Sequence, residues 1–203
     1  LWLGEETLSL GMRNIAEGSK SILHEALAAR DGVELGRLRE KGIRRIEHLA
    51  AIESQALGSV RRLATGQEGK VLSDHLADLN GRLTGFAEAE KEGFVGALRL
   101  WAGHAGVKVE PWVSQETLWE REAAKVVPRR LIVGTVTLDD LPYEEWEVVK
   151  RSPRWWGVET AALWWVDGER TVREIADLVG QEFNEVNVDL LEYFRFLAKH
   201  GYV

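Results

Sequence analysis

From residue 7 to residue 103 the chain has no proline and repeats its apolar residues at helical spacing, which constrains the fold more than any other feature of the sequence. Within it Leu72, Leu76, Leu79, Leu83, Phe86, Glu90, Phe94, Ala97 and Trp101 advance by three or four residues at each step, an a/d seam. A second stripe runs through Leu35, Leu38, Ile46, Leu49, Ile52, Ala56, Val60 and Leu63. Breaks at Arg30-Asp31-Gly32 and Thr65-Gly66 divide the stretch into three helices: Thr7 to about Arg30, Val33 to about Ala64, and one starting near Gln67. Short connections favour antiparallel neighbours. Residues 1–104 are therefore predicted to form an up-down-up, antiparallel three-helix coiled-coil-like bundle, about 45 Å long at 1.5 Å per residue.

Two features do not fit a uniform seam. Glu90 interrupts the apolar row, and a buried carboxylate needs a partner, so its expected place is a bundle end or a solvent-facing slot. Gly11, Gly18, Gly36, Gly42, Gly58, Gly81, Gly85, Gly93 and Gly96 each weaken a helix interior by about 1 kcal/mol relative to alanine. Such glycines permit close helix crossings or bends.

Residues 105–157 read as a mixed connector with short strands and one helix. "VKVEPWV" and "PRRLIVGTVTL" are β-branched, proline-bounded and extended in pattern, while Leu141 to Arg151 reads as a short helix with Asp140 as N-cap and Pro142 in its first turn. Residues 158–203 are more legible. Val158, Ala161, Ala162 and Trp165 mark one short helix closed by Asp167-Gly168; Thr171 and Glu174 form a capping box that opens a second, with Val172, Ile175, Ala176 and Val179 inward. A third starts near Asn184 or Asn187 with Val188, Leu191, Phe194 and Leu197 or Ala198 inward, and ends at Gly201 before a "YV" strand. Three short helices and a terminal strand are the outline of a small α+β winged-helix domain, so the expected fold is mainly α: a bundle followed by a winged helix.

The chemistry is defined mostly by exclusion. The 203 residues carry a formal net charge of -7, and residues 158–203 hold nine acidic against four basic side chains, with Glu185 and Asp189 where a recognition helix would meet phosphates. That charge argues against DNA binding. The sequence contains no cysteine, which removes disulfides, thiolate metal sites and thiol nucleophiles. His24, His48 and His75 fall one on each long helix, but no His-x-x-x-His spacing occurs, so solvated or capping histidines are expected and no metal or cofactor site is assigned. No nucleophile elbow, phosphate loop or carboxylate pair stands out, and no catalytic residue is assigned. No apolar run approaches the roughly 20 residues of a membrane span, and a cytoplasmic protein is expected. The opening "LWLGEETL" lacks an initiator methionine, which suggests a piece of a longer chain.

What remains is tryptophan. Of nine in the chain, Trp112, Trp119, Trp146, Trp155, Trp156, Trp164 and Trp165 lie between residues 110 and 166. Trp165 belongs to a core stripe, and its neighbour must point about 100° away from it. The other six, Trp112, Trp119, Trp146, Trp155, Trp156 and Trp164, are the candidate interaction surface, because an indole offers large apolar area and an N–H that needs a partner.

The stretch "ALWWVDGERTVREIADLVGQEFNEVNVDLLEYFRFLAKHGYV", with "PRRLIVGTVTLDDLP" upstream and "RRIEHLAAIESQALGSV" in the long helices, resembles the C-terminal accessory region of bacterial zinc aminopeptidase-like proteins. The resemblance implies a non-catalytic interaction and assembly region. The zinc ligands and general base of that family lie in a separate domain whose motifs match no position here. The implied partner is a protein or peptide, such as a zinc-peptidase domain of the same parent, with a homo-oligomer through the long helices as another assembly; nucleic acid and membrane are not expected partners. The Asp167-Gly168 to Ile175 stretch is also similar to the peptide-binding winged helices of modified-peptide biosynthesis, which implies as an alternative a free-standing peptide- or protein-binding adaptor.

Overall fold

A computed structural model describes residues 1–63, 69–108, 116–132, 134, 136, 141–146, 157–183, 186 and 188–203, with the side chains of Leu63, Tyr143 and Trp146 outside that set. The protein is mainly α-helical and divides into two compact units, Leu1–Gln115 and Glu116–Val203.

The first unit is a bundle of α1 (Trp2–Ala26), α2 (Gly32–Val60) and α3 (Gly69–Ala105), with a 3₁₀ turn at Arg61–Leu63. Contacts fix the direction of each helix. Gly11 faces Glu53, Gly18 faces Leu49, and Lys41 Nζ donates to Glu25 Oε2 at 2.7 Å, so residue numbers fall in α2 as they rise in α1. Gly42 faces Phe94, and Ser54 meets Asn80, so α3 is antiparallel to α2. Gly4 lies against Leu76 and Leu79 while Ser19 meets Glu90, which makes α1 and α3 parallel. The bundle is up-down-up.

The ends of these helices follow local rules. Asp31 is the N-cap of α2, accepting the Glu34 N–H at 2.8 Å, and Glu34 Oε2 accepts the Arg30 N–H at 2.9 Å, so two otherwise orphaned donors are satisfied. Chain reversal between α1 and α2 therefore needs only residues 27–31. The first helix begins five residues before the expected Thr7, at Trp2.

The apolar seam differs from the expected one in an instructive way. In α3 the inward positions are Leu76, Leu79, Leu83, Ala87, Phe94, Leu98 and Ala102, with Leu72, Phe86 and Trp101 only partly buried against the core. With Glu90 included, the steps from Leu76 to Leu98 are 3, 4, 4, 3, 4 and 4, which averages near the natural 3.6 residues per turn instead of the heptad 3.5. The expected row differs from it at Phe86, Ala97 and Trp101, each one residue short of the buried Ala87, Leu98 and Ala102. In α1 the buried residues Gly4, Leu8, Gly11, Ile15, Gly18 and Ile22 do alternate by four and three, with glycine at every first position.

Those glycines let α1 sink between its neighbours. A Cβ on Gly18 would meet Leu49 Cδ1 at 2.5 Å, and one on Gly42 of α2 would meet the Phe94 ring at 2.0 Å. Phe94 is fully buried in the space that Gly42 leaves, and burial of a ring of that size contributes about 2–3 kcal/mol. By contrast Gly58, Gly81, Gly85, Gly93 and Gly96 face open space. Only some of the interrupting glycines serve crossings.

The second unit contains α4 (Leu118–Ala123), a 3₁₀ turn at Tyr143–Trp146, α5 (Val158–Trp164), α6 (Val172–Phe183) and α7 (Leu190–Lys199). Its core gathers Ala123, Val158, Ala161, Ala162, Val172, Ile175, Val179, Leu190, Phe194 and Leu197. Among the described residues it has no strand, so the β part of the expected α+β winged helix is not formed there. The reason is visible at the C-terminus. Gly201, at φ +76°, closes α7, and the Tyr202 N–H bonds back to the Leu197 carbonyl at 3.0 Å, which commits it to the helix cap. Among the described residues one backbone bond, from Leu131 N–H to the Tyr202 carbonyl at 3.1 Å, joins the expected strand segments, and no ladder is formed. Of the helix expected between Leu141 and Arg151, the described part is the 3₁₀ turn; the other expected strand, at residues 107–113, falls mostly outside the described residues.

Candidate interaction surface

Local sequence signals place the aromatic side chains of the second unit. Thr117 caps α4: its hydroxyl accepts the Glu120 N–H at 3.1 Å and Glu120 Oε2 accepts the Thr117 N–H at 2.6 Å. This Thr-x-x-Glu box was readable in the sequence and went unrecognised within the connector. It presents Trp119, whose ring packs partly buried against the core and whose indole N–H donates to Asp189 Oδ1 at 2.9 Å. The same Asp189 oxygen accepts the N–H groups of Leu191 and Glu192, each at 3.0 Å, and so caps α7. Trp119 thus fastens α4 to the start of α7 while staying partly exposed.

The pair at the end of α5 divides as the helical geometry requires. Trp165 is half-buried, donates its indole N–H to Glu182 Oε1 at 3.1 Å, and carries the Arg170 guanidinium over its ring, 5.4 Å from the centroid. Arg170 is in turn paired with Asp167, whose Oδ1 also accepts the Glu169 and Arg170 N–H groups at 2.9 Å. Trp164 points the other way and is 75% exposed. Trp112, Trp155 and Trp156 lie outside the described residues, as does the Trp146 side chain. Of the six candidates, the structure brings Trp119 into the core region and leaves Trp164 on the surface.

Carboxylates of the second unit act as fasteners. Backbone N–H groups of Arg170 and Glu169 hold Asp167 below its ordinary pKa, and the Thr171 N–H and hydroxyl do the same for Glu174 in the capping box of α6. Lys199 lowers Glu145, tying the 3₁₀ turn to α7, and Lys125 lowers Glu122. Within the core, burial pushes the Tyr193 phenol up, with the charge of Glu159 adding to it. Glu159 is 3% exposed and Tyr193 5%, so this pair is closed to any substrate.

In the first unit the three histidines are not assembled. His75 lies near Gly4 and 3.8 Å from Glu5, whereas His24 is 20 positions further along α1, about 30 Å away at 1.5 Å per residue. Among the described residues no cluster of three or more His, Asp or Glu side chains is arranged to hold a metal, and no helix is long and apolar enough to cross a membrane. A shallow groove along α1, lined by Glu17, Lys20, Ser21, Leu23, His24 and Leu27, has no convergent polar set. Glu90 sits mid-helix, away from either bundle end, and accepts the Ser19 hydroxyl.

No protein-family model, curated protein or solved structure matches the chain.

Proposed function

We propose that the chain is a non-catalytic accessory region that mediates interaction and assembly for a bacterial aminopeptidase-like protein in the cytoplasm. The observation that carries this reading is Trp164. An indole 75% exposed, on a helix whose neighbouring tryptophan is anchored through its N–H and its ring face, is a large apolar group with nothing in the described chain to cover it. The order α5, α6, α7, closed by Gly201 and tied by the Leu131 to Tyr202 bond, supports a winged-helix-like arrangement of this unit. The partner is a protein or peptide, with a zinc-peptidase domain of the parent as the first choice. Nucleic acid is disfavoured because α7 opens with Asp189 and Glu192.

The test begins with the parent reading frame. If it encodes a zinc-peptidase domain, the purified domain is titrated with the 203-residue chain and its Trp164→Ala variant by calorimetry. The variant should keep its fold stability within about 0.5 kcal/mol and bind at least about tenfold more weakly. Equal binding by the two chains removes Trp164 from the interface, and a parent with no peptidase domain rejects this reading. That second result favours the alternative of a free-standing peptide-binding adaptor, supported by the exposed Leu131 and Ile132 beside the Tyr202 bond.

A further inference from the structure

The apolar pattern of α1 repeats itself almost without change: Gly4 with Leu8, Gly11 with Ile15, Gly18 with Ile22. Sliding α1 by seven residues along the other two helices would bring glycine onto glycine sites and aliphatic onto aliphatic sites. Over the part of α1 that stays overlapped, hydrophobic burial therefore distinguishes such registers weakly.

Two polar contacts of α1 distinguish them, and a third joins the other two helices. Asn14 Nδ2 donates to Glu53 Oε1 at 2.6 Å, joining α1 to α2. The Ser19 hydroxyl donates to Glu90 Oε1, joining α1 to α3. The Ser54 hydroxyl donates to Asn80 Oδ1 at 2.6 Å, joining α2 to α3. Each helix contributes two side chains, and each pair of helices is bridged once. Glu53 and Ser19 are buried, at 8% and 1% exposure, and the other four are partly buried.

We infer that the Asn14–Glu53 and Ser19–Glu90 pairs are a register key, which selects one alignment of α1 against α2 and α3 from alignments that the glycine and aliphatic repeat would accept. A seven-residue slip of α1 against α3 sets Met12 or Ala26 opposite Glu90, leaving that carboxylate without the Ser19 hydroxyl. The desolvation cost of the buried Glu53 and the half-buried Glu90 without their partners is what separates the registers. A single polar residue in a helical seam fixes register elsewhere by the same logic, at some cost in stability.

The chain has no cysteine, so introduced thiols are the only ones. Glu5 and Arg82 lie 3.3 Å apart across α1 and α3 and are both exposed, so Glu5→Cys with Arg82→Cys reports the native register; Glu5→Cys with Ala89→Cys reports a slip of seven. Both pairs are placed in the full chain and in a key-less chain carrying Asn14→Leu, Glu53→Leu, Ser19→Ala and Glu90→Leu, then treated with a short bis-maleimide. The native background should link only the 5/82 pair. The key-less background should also link 5/89, at a yield comparable with 5/82, while melting at the same or a higher temperature. A key-less chain that links 5/89 no more than the native background does overturns the proposal. If the four-site variant shows no helical circular dichroism, Ser19→Ala with Glu90→Leu alone is read in the same way. Failure of that chain to fold overturns the proposal too, because the pair would then supply stability, not register.

Discussion

The two units solve the problem of specificity with different means. The bundle has three long helices, close crossings at glycine and polar pairs inside its seam. Among its described residues the second unit has four short helices, none longer than the 12 residues of α6, stopped and started by caps, around a core of aromatic and aliphatic side chains. Isolated helices of 6 to 12 residues are marginal in water, so the short ones depend on capping and on Phe194 and its neighbours. Long helices need little help to be helical; they need help to choose how to pair. The contrast teaches that a polar side chain serves at the ends of short helices and between long ones.

That contrast can be broken at four points, taken from the largest effect to the smallest. Phe194→Ala empties the centre of the small core, and about 4 kcal/mol of stability should be lost from the second unit. Denaturant unfolding with hydrogen exchange resolved by segment should show residues 116–203 opening at lower denaturant while α1 to α3 keep their protection. In the bundle, Gly42→Ala drives a Cβ into the buried Phe94 ring and should destabilise by about 3 kcal/mol, whereas Gly85→Ala on the open face of α3 should stabilise by about 1 kcal/mol. Two effects of the same sign would show that crossing geometry is not what those glycines provide. Asp189→Ala removes both the cap of α7 and the acceptor for Trp119, so about 1–2 kcal/mol should go, together with a red shift of the Trp119 emission. An unshifted spectrum would separate the two roles.

The smallest effect is acid sensitivity. Asp167 and Glu174 have folded pKa values below their unfolded ones, held down by backbone N–H groups, so their contribution is complete above the ordinary carboxylate range and is lost as pH falls through the folded values. The start of α6 should therefore lose exchange protection on acidification, and Glu174→Gln should flatten that dependence. Protection that rises as pH falls would reverse the assigned sign.

How much of this was legible in the sequence depended on range. The capping box of Thr171 and Glu174 and the cap at Gly201 were readable, because each is a pattern of residues a few positions apart that satisfies its own backbone. The box at Thr117 carried the same signal and was obscured by the β-branched segments around it. The row read through α3 parts from the buried one after Leu83, where the buried row steps by four to Ala87 and Phe86 and Trp101 fall to its edge. Of the tryptophans, Trp119 gave no sign of its hydrogen bond, since nothing in its neighbourhood announces Asp189, 70 positions away.

The sequence by itself determined that the chain is mainly helical, where several helices start and stop, and that adjacent tryptophans at the end of α5 diverge. Those properties arise from bonds and angles within a few residues. Only the tertiary structure decided which glycines receive a neighbour's side chain, that Glu90 meets Ser19, and that Trp119 is fastened while Trp164 is exposed. These depend on groups brought together across dozens of residues, where the energy lies in van der Waals contact and in the desolvation of polar atoms, and neither has a period in the chain.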